Sequence, residues 1–262
     1  MSEHILYEVK DRIATITLNR PERMNAFTWD MLDSWADALA RAQADDAVAV
    51  VVITGAGKAF CSGGDVKNMG ERGERTPLDR KNDLAEHVHR VPLALERMDK
   101  PVIAAVNGAA MGAGMDLALQ CDLRYAAASA RFGETYVRVG LVPGAGGTWF
   151  LPLLVGTAKA LELFWTGEIF DAAEAERLGI VNKVVPDNEL IPHVRAVATK
   201  IADGPPLSIR FIKRAVYQGT RIDLRTSLDL ISSHYAVVSS SADHREAVEA
   251  YLEKRKPTFK GR

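Results

Sequence analysis

Two buried-strand patterns, each preceded by a helical pattern, constrain the fold of this chain more than any other feature of its sequence. Residues 48–53 form an unbroken apolar, mostly β-branched run, and residues 101–106 form a second apolar run. Runs of this kind are typical of strands that are buried on both faces. Apolar residues recur at helical spacing after Thr28, a candidate cap, and again within residues 84–98. This alternation predicts an α/β fold.

The remaining segments extend this pattern and then change character. A hairpin is expected at the amino terminus, and a polar loop is expected at residues 55–75. Asp171 can cap a helix, because Glu174 follows it at the spacing of a capping box. We divide the chain into an α/β core, residues 1–203, and a C-terminal helical module, residues 204–262. Further strands are expected at 5–9, 13–18, 123–127, 130–132 and 180–185, and helices at 115–120, 207–218, 224–238 and 241–254.

Composition excludes several classes of function. The 262 residues include 33 Lys and Arg against 34 Asp and Glu, so no positive field favours nucleic acid as a partner. No apolar run reaches the roughly 18 residues that suggest a membrane span, and the amino terminus has no signal-peptide pattern. Only Cys61 and Cys121 are present, without a zinc motif. We expect a cytoplasmic protein without a metal and without membrane or nucleic-acid partners.

Three motifs of nucleotide-binding proteins and serine hydrolases are incomplete in this sequence. The segment TGAGKA at residues 54–59 lacks the spacing of a phosphate-binding P-loop. In GAGGTW at residues 144–149, Trp149 stands where a dinucleotide-binding motif requires its third glycine. Ser62 cannot be the nucleophile of a GxSxG elbow, because Phe60 occupies the first glycine position. Nucleotide-binding and serine-hydrolase functions are therefore disfavoured.

Two glycine-containing turns, at residues 60–65 and 107–116, each follow a predicted buried strand. Such turns can aim free backbone N–H groups into a shared pocket, and the second turn leads into the positive end of a helix. Two converging donors are what an oxyanion hole requires. The other interpretation, in which the glycines only permit tight turns, stays open for either turn taken alone.

Several motifs together resemble the enoyl-CoA hydratase/isomerase, or crotonase, family, in order and over nearly the whole chain. The resemblance implies a crotonase-like spiral of ββα units with a C-terminal helical module that builds a homotrimer or homohexamer. It implies an enzyme that stabilises the enolate of an acyl-CoA thioester, with coenzyme A as part of the substrate and no permanently bound cofactor. The motifs are NRPERMNA at 19–26, FCSGGD at 60–65, AAVNG at 104–108, CD at 121–122, VPGAGGT at 142–148 and EKRKPTF at 253–259.

The resemblance also assigns residues. The two oxyanion-hole donors correspond to the backbone N–H groups of Gly64 and Ala113, where Ala113 replaces the usual glycine. A donor that acts through its backbone N–H does not need a glycine side chain. The resemblance assigns five residues to coenzyme A: Arg23, Met24, Ser62, Asp65 and Lys254.

Departures from the family pattern bear on the reaction. Hydratases of this family carry two Glu residues, and here Asp116 takes the first position and Tyr136 the second. We assign Asp116 as the acid–base group and Tyr136 as a second catalytic group, although Tyr is a poor base near neutral pH. Glu134 could replace Tyr136 after a local shift in register. Dienoyl-CoA isomerases have a further Asp at the position of Gly144, so that match fails.

Three hypotheses remain open. The first is a lyase or isomerase that hydrates or isomerises an enoyl-CoA double bond, as in fatty acid metabolism. The second is a different crotonase-family reaction, such as hydrolysis of an acyl-CoA thioester or of a carbon–carbon bond. The third is a non-catalytic acyl-CoA-binding protein. His87 and His89 belong to no motif, and we expect both to be exposed on a helix.

Overall fold

The protein is described by a computed structural model that covers residues 2–65 and 75–261. Ten strands within these residues form a six-stranded sheet and a four-stranded sheet. The strands are β1 (Ile5–Lys10), β2 (Ile13–Leu18), β3 (Val50–Gly55), β4 (Ala59–Cys61), β5 (Val102–Val106), β6 (Ala109–Met111), β7 (Leu123–Ala127), β8 (Arg131–Gly133), β9 (Ile169–Asp171) and β10 (Lys183–Val185).

Helices surround both sheets and end the chain. A π-helical turn, Leu84–Val88, separates α2 from α3. The α-helices of the described residues are α1 (Trp29–Ala44), α2 (Pro77–Asp83), α3 (Arg90–Arg97), α4 (Ala113–Leu119), α5 (Gly147–Val155), α6 (Thr157–Thr166), α7 (Ala172–Arg177), α8 (Leu190–Ala202), α9 (Pro206–Gly219), α10 (Leu224–Ser239) and α11 (Ala242–Glu253).

The six-stranded sheet has the order β1-β2-β3-β5-β7-β10. β1 and β2 form the expected antiparallel hairpin, and the other neighbours are parallel. One face packs against α1, with Trp35 fully buried there. On the other face, Val52 and Ile103 pack against Val194 of α8. Burial on both faces confirms the interpretation of β3 and β5 as central strands.

The four-stranded sheet, in the order β4-β6-β8-β9, is absent from the sequence prediction. β4, β6 and β8 are parallel, and β9 is antiparallel to β8. The prediction wrongly placed β4 in the polar loop and β6 in a glycine turn, because three residues are too few to display strand periodicity. Residues 66–74 of that predicted loop lie outside the described residues.

The second sheet gives the fold its repeat. β4, β6 and β8 each follow a long strand of the first sheet, namely β3, β5 and β7. Among the described residues, a helix is the next element after each of the first two pairs, which produces successive ββα units. This path brings the turn after β4 and the helix after β6 side by side, because β4 and β6 are paired neighbours.

Local caps and the tail agree with the sequence. Thr28 Oγ1 accepts a hydrogen bond from the Met31 N–H at 3.3 Å, and Asp171 Oδ1 accepts one from the Glu174 N–H at 2.9 Å. These contacts confirm both predicted caps. α9, α10 and α11 lie within a few residues of the predicted tail helices. Within residues 2–65 and 75–261, no helix is both long and apolar enough to cross a membrane.

Candidate active site

The turn at residues 62–64 lies directly against the beginning of α4. Gly63 has a φ of +90°, a left-handed conformation that favours glycine. A Cβ atom on Gly63 would lie 3.5 Å from the Ala113 nitrogen. A Cβ atom on Gly114 would lie only 2.0 Å from the Cys61 carbonyl oxygen, so a larger residue does not fit there. Both glycines therefore allow the backbone of the turn to approach the first residues of α4.

Two backbone N–H groups beside this contact, those of Gly64 and Ala113, have no acceptor among the residues that the structure describes. Phe27 forms an isolated parallel bridge with Gly64. In this bridge, the Phe27 N–H donates to the Gly63 carbonyl at 2.9 Å, and the Phe27 carbonyl accepts from the Asp65 N–H at 3.3 Å. The pattern directs the Gly64 N–H away from Phe27. Ala113 is the first residue of α4, where an N–H has no partner within the helix.

Asp116 lies at the end of the first turn of α4 and is fully buried. Its Oδ2 accepts hydrogen bonds from the Tyr136 hydroxyl at 2.6 Å and from the Ala145 N–H at 3.3 Å. Its Oδ1 lies against Gly147, where a Cβ atom would be 1.8 Å from that oxygen. Burial raises the pKa of Asp116 to about 6, and the hydrogen bond from Tyr136 limits this rise. A pKa in this range suits acid–base chemistry near neutral pH.

Glu134, at the end of β8, is a second fully buried carboxyl and interacts with Asp116. Neither of its oxygens meets an N–H or O–H donor in the described part of the chain. Burial and then the charge of Asp116 raise the pKa of Glu134 to about 10, so this carboxyl is protonated at neutral pH. Its O–H then donates a hydrogen bond to Asp116. The two acids together carry one negative charge.

The stability of the protein is expected to fall as the pH rises, because of Glu134. Its pKa is about 10 in the folded chain against an ordinary value of 4.5. Between these values the folded state holds a proton that the unfolded state releases, so alkali favours unfolding. One such proton changes the free energy of unfolding by up to about 1.4 kcal/mol per pH unit.

Urea denaturation of the wild type and of Glu134→Gln between about pH 6.5 and pH 9 measures this effect. This range lies above the folded pKa of Asp116, so the titration of Asp116 contributes little. We expect the wild type to lose more stability than Glu134→Gln over the range at one fixed protein concentration. Equal pH dependence in the two proteins would show that Glu134 is already ionised in the folded state.

Tyr136 is half-buried and completes the cluster. Its ring lies beside Gly112, where a Cβ atom would be 3.7 and 3.8 Å from two ring carbons. Burial and then the charge of Asp116 raise the pKa of Tyr136 well above its ordinary value, so the hydroxyl keeps its proton. The sequence prediction treated Tyr136 and Glu134 as alternatives, but both interact with Asp116.

Four of the five residues assigned to coenzyme A, namely Arg23, Met24, Ser62 and Asp65, lie in two adjoining loops. The Ser62 N–H donates to the Met24 carbonyl at 3.1 Å, and Ser62 Oγ donates to the Arg23 carbonyl at 3.5 Å. Asp65 follows in the same turn as Ser62 and forms a salt bridge with Arg20.

Lys254, the fifth assigned residue, is exposed at the end of α11. Its N–H donates to the carbonyls of Ala250 and Tyr251. Among the described residues, no hydrogen bond or ion pair joins Lys254 to Arg23, Met24 or their neighbours. Lys254 is therefore not linked to these loops by a polar contact within one chain.

The expectation that His87 and His89 are exposed is wrong. Both side chains are partly buried and have polar partners. The His87 ring stacks on Trp29 at 4.6 Å between ring centroids, and its Nδ1 lies 3.1 Å from Asp33 Oδ2. His89 Nε2 donates to the Gly144 carbonyl at 3.0 Å. These partners are about 55 residues away in the chain, so local spacing does not reveal them.

Sequence reasoning missed three contributors to the site. Glu134 was considered only as a substitute for Tyr136, and Ala145 and Gly147 were noted only within a family motif. The motif VPGAGGT was the available signal: its Gly147 leaves room for the Asp116 carboxyl, and its Ala145 N–H donates to the same group. A glycine that must stay small against a carboxylate cannot be recognised before the carboxylate is placed.

The chain resembles characterised and structurally known proteins over nearly its full length. Residues 8–262 match the enoyl-CoA hydratase/isomerase family. The crotonyl-CoA hydratase of Syntrophomonas wolfei is 38% identical over 98% of both chains. The 1,2-epoxyphenylacetyl-CoA isomerase of Escherichia coli is 38% identical over 100% of both chains.

A solved structure supports the same family assignment. The crystal structure of an enoyl-CoA hydratase from Bacillus anthracis has a TM-score of 0.92 at 35% identity, and the match covers 99% of this chain and 100% of that chain. The match over almost the whole chain, in sequence and in fold, extends from the strands of both sheets to the tail helices. The chain belongs to the enoyl-CoA hydratase/isomerase family and is an enzyme with the crotonase fold.

Proposed function

We propose that this enzyme binds an acyl-CoA thioester and stabilises its enolate with the N–H groups of Gly64 and Ala113. The observation that carries this proposal is the contact between the turn at residues 62–64 and the start of α4, which leaves both donors without an acceptor in the described chain. Paired donors of this kind stabilise an oxyanion as its charge develops. The proposal requires both N–H groups to reach the same thioester oxygen.

Asp116 supplies the acid–base function in this proposal. Its carboxyl has a pKa near neutrality and lies three residues after Ala113 on α4. A proton removed beside the thioester carbonyl can return to a different carbon, which shifts a double bond. Addition of water to the double bond is the other reaction of this type. Hydratases and isomerases both occur among the relatives.

The coenzyme is held by the loops around Arg23, Met24 and Ser62, with Asp65 shaping the turn through its salt bridge to Arg20. The close packing of these loops supports a common binding surface. The role of Lys254 at the coenzyme phosphates is supported by the family resemblance. No resident cofactor or metal is required for enolate chemistry of this kind, and coenzyme A enters with the substrate.

Chromatographic separation of the products with mass-spectrometric detection tests this function, because a double-bond shift gives an isomer of unchanged mass that must be separated from the substrate. The purified enzyme is incubated with a panel of saturated, 2-enoyl, 3-enoyl and dienoyl thioesters. A double-bond shift or a mass gain of one water supports the proposal. Release of free coenzyme A or carbon–carbon cleavage would favour a hydrolase instead. Binding of thioesters without any product would favour the non-catalytic alternative.

We also propose that residues 204–262 form a module that assembles the chain into a trimer or a dimer of trimers. α9 and α10 contain a single buried residue between them, His234. Large apolar side chains on the tail remain exposed, and uncovered apolar surface of this extent marks an interface. They include Ile212, Val216, Leu224, Leu228, Tyr235, Tyr251 and Leu252.

Analytical ultracentrifugation at micromolar concentration is expected to give a mass near three or six times 28.6 kDa. The double variant Leu224→Ser/Leu228→Ser is expected to shift the distribution toward monomer, because both side chains are exposed in the single chain. A stable wild-type monomer at this concentration would contradict the proposed assembly.

A further inference from the structure

Three titratable side chains form one hydrogen-bonded cluster, and only one of them is partly exposed. Tyr136 is half-buried, whereas Asp116 and Glu134 are fully buried. We propose that the Tyr136 hydroxyl is the group that exchanges a proton with the substrate, and that Asp116 is the base that receives the tyrosine proton. We call this path from substrate through Tyr136 to Asp116 the relay. This inference rests on the proposed enolate function and adds the path of the proton.

Direct access of substrate to Asp116 is restricted on both of its oxygens. Oδ2 already accepts from the Tyr136 hydroxyl and the Ala145 N–H. Oδ1 lies against Gly147 so closely that not even a methyl group fits between them. Because the carboxyl has no exposed surface, a substrate carbon or a water molecule would have to displace Tyr136 to reach it.

Tyr136 is suitably placed to face the substrate. Its ring packs beside Gly112, the residue immediately before the proposed oxyanion donor Ala113. A proton on the carbon next to the thioester carbonyl would therefore lie in the same region as the tyrosine hydroxyl. The hydroxyl is held at 2.6 Å from Asp116 Oδ2, a distance that permits proton transfer between the two oxygens.

The proposed step moves two protons together. The substrate C–H bond breaks, its electron pair enters the enolate, and its proton bonds to the Tyr136 oxygen. At the same time the original tyrosine proton moves to Asp116 Oδ2. The reverse transfers at a different carbon complete a double-bond shift, so no group is oxidised or reduced. Concerted transfer is required because a free tyrosinate is strongly disfavoured in this environment.

Glu134 is a positioning residue in this scheme. As a neutral acid it donates a hydrogen bond to Asp116, so Asp116 is the ionised member of the pair. Its full burial keeps it away from the substrate.

Single and double variants test the relay on any thioester that the wild type converts. Tyr136→Phe and Asp116→Asn are each expected to lower kcat by about 10²- to 10⁴-fold. The double variant should fall no further than about threefold below the slower single variant, because two residues that act in one transfer are not additive. Tyr7→Phe is the matched control, since the Tyr7 hydroxyl has no partner among the described residues and lies outside the site.

A pH profile separates proton transfer from a purely structural role of Tyr136. Loss of its hydroxyl removes a hydrogen bond that lowers the pKa of Asp116, so Tyr136→Phe could leave Asp116 protonated. In that case turnover would recover at about pH 9. The relay instead requires that turnover stays low at all pH values. Recovery at high pH, or losses that multiply in the double variant, would overturn it.

The same experiments distinguish the relay from the proposed function itself. An active wild type whose Tyr136→Phe variant stays within about threefold of its kcat would remove the relay and leave enolate chemistry in place. A wild type that converts none of the thioesters would remove both proposals. Coenzyme A binding, measured by calorimetry, should be retained in Tyr136→Phe and confirms that the variant is folded.

Discussion

Asp116→Asn is expected to lower turnover by about 10²- to 10⁴-fold while coenzyme A binding stays within about threefold of the wild type. An amide cannot take up and release the proton that moves during the reaction. Affinity for the coenzyme should persist, because the loops proposed to hold it, around Met24 and Ser62, do not include Asp116. Turnover assays and calorimetry with coenzyme A measure the two quantities separately.

The fold should tolerate this substitution. The Asn side-chain oxygen can accept the same hydrogen bonds from the Tyr136 hydroxyl and the Ala145 N–H. Because the substitution also removes a buried negative charge, the melting temperature is expected to be equal or higher. Asp187→Asn is a matched control, since Asp187 is exposed and accepts a hydrogen bond from the Ser129 N–H. Wild-type turnover in Asp116→Asn would show that the acid–base group lies elsewhere.

Ala113→Pro is expected to lower turnover by about 10²- to 10³-fold, which corresponds to roughly 3 to 4 kcal/mol in the activation barrier. Proline removes the backbone N–H that is proposed to stabilise the thioester oxyanion. The position suits this test, because Ala113 is the first residue of α4 and proline is favoured at the first position of a helix. Its N–H has no acceptor in the described chain, so no hydrogen bond of the fold is lost.

Ala242→Pro is the matched control for this variant. Ala242 is the first residue of α11, so the same substitution occurs at the same helical position outside the site. Thermal unfolding should show comparable stability for both variants, and only Ala113→Pro should lose turnover. If Ala113→Pro is folded and retains full kcat, the Ala113 N–H is not an oxyanion donor.

The elements that could be predicted from the sequence are those specified by nearby residues. The hairpin, the strands β3 and β5 and the tail helices have apolar patterns long enough to show their periodicity. The caps at Thr28 and Asp171 depend on hydrogen bonds that span three residues. The second sheet could not be predicted, because β4 and β6 contain three residues each and are stabilised by pairing with one another.

In the candidate site, too, some features could be predicted from the sequence and others depend on contacts between distant residues. The sequence alone determined family membership and the candidates Gly64, Ala113 and Asp116, because these residues lie in recognisable motifs. Only the tertiary structure decided that Asp116 shares hydrogen bonds with Tyr136 and Glu134. The Tyr136 and Ala145 donors lie 20 and 29 positions from Asp116 in the chain. The protonation of these groups depends on burial and on each other's charge, which exist only once the distant segments have packed together.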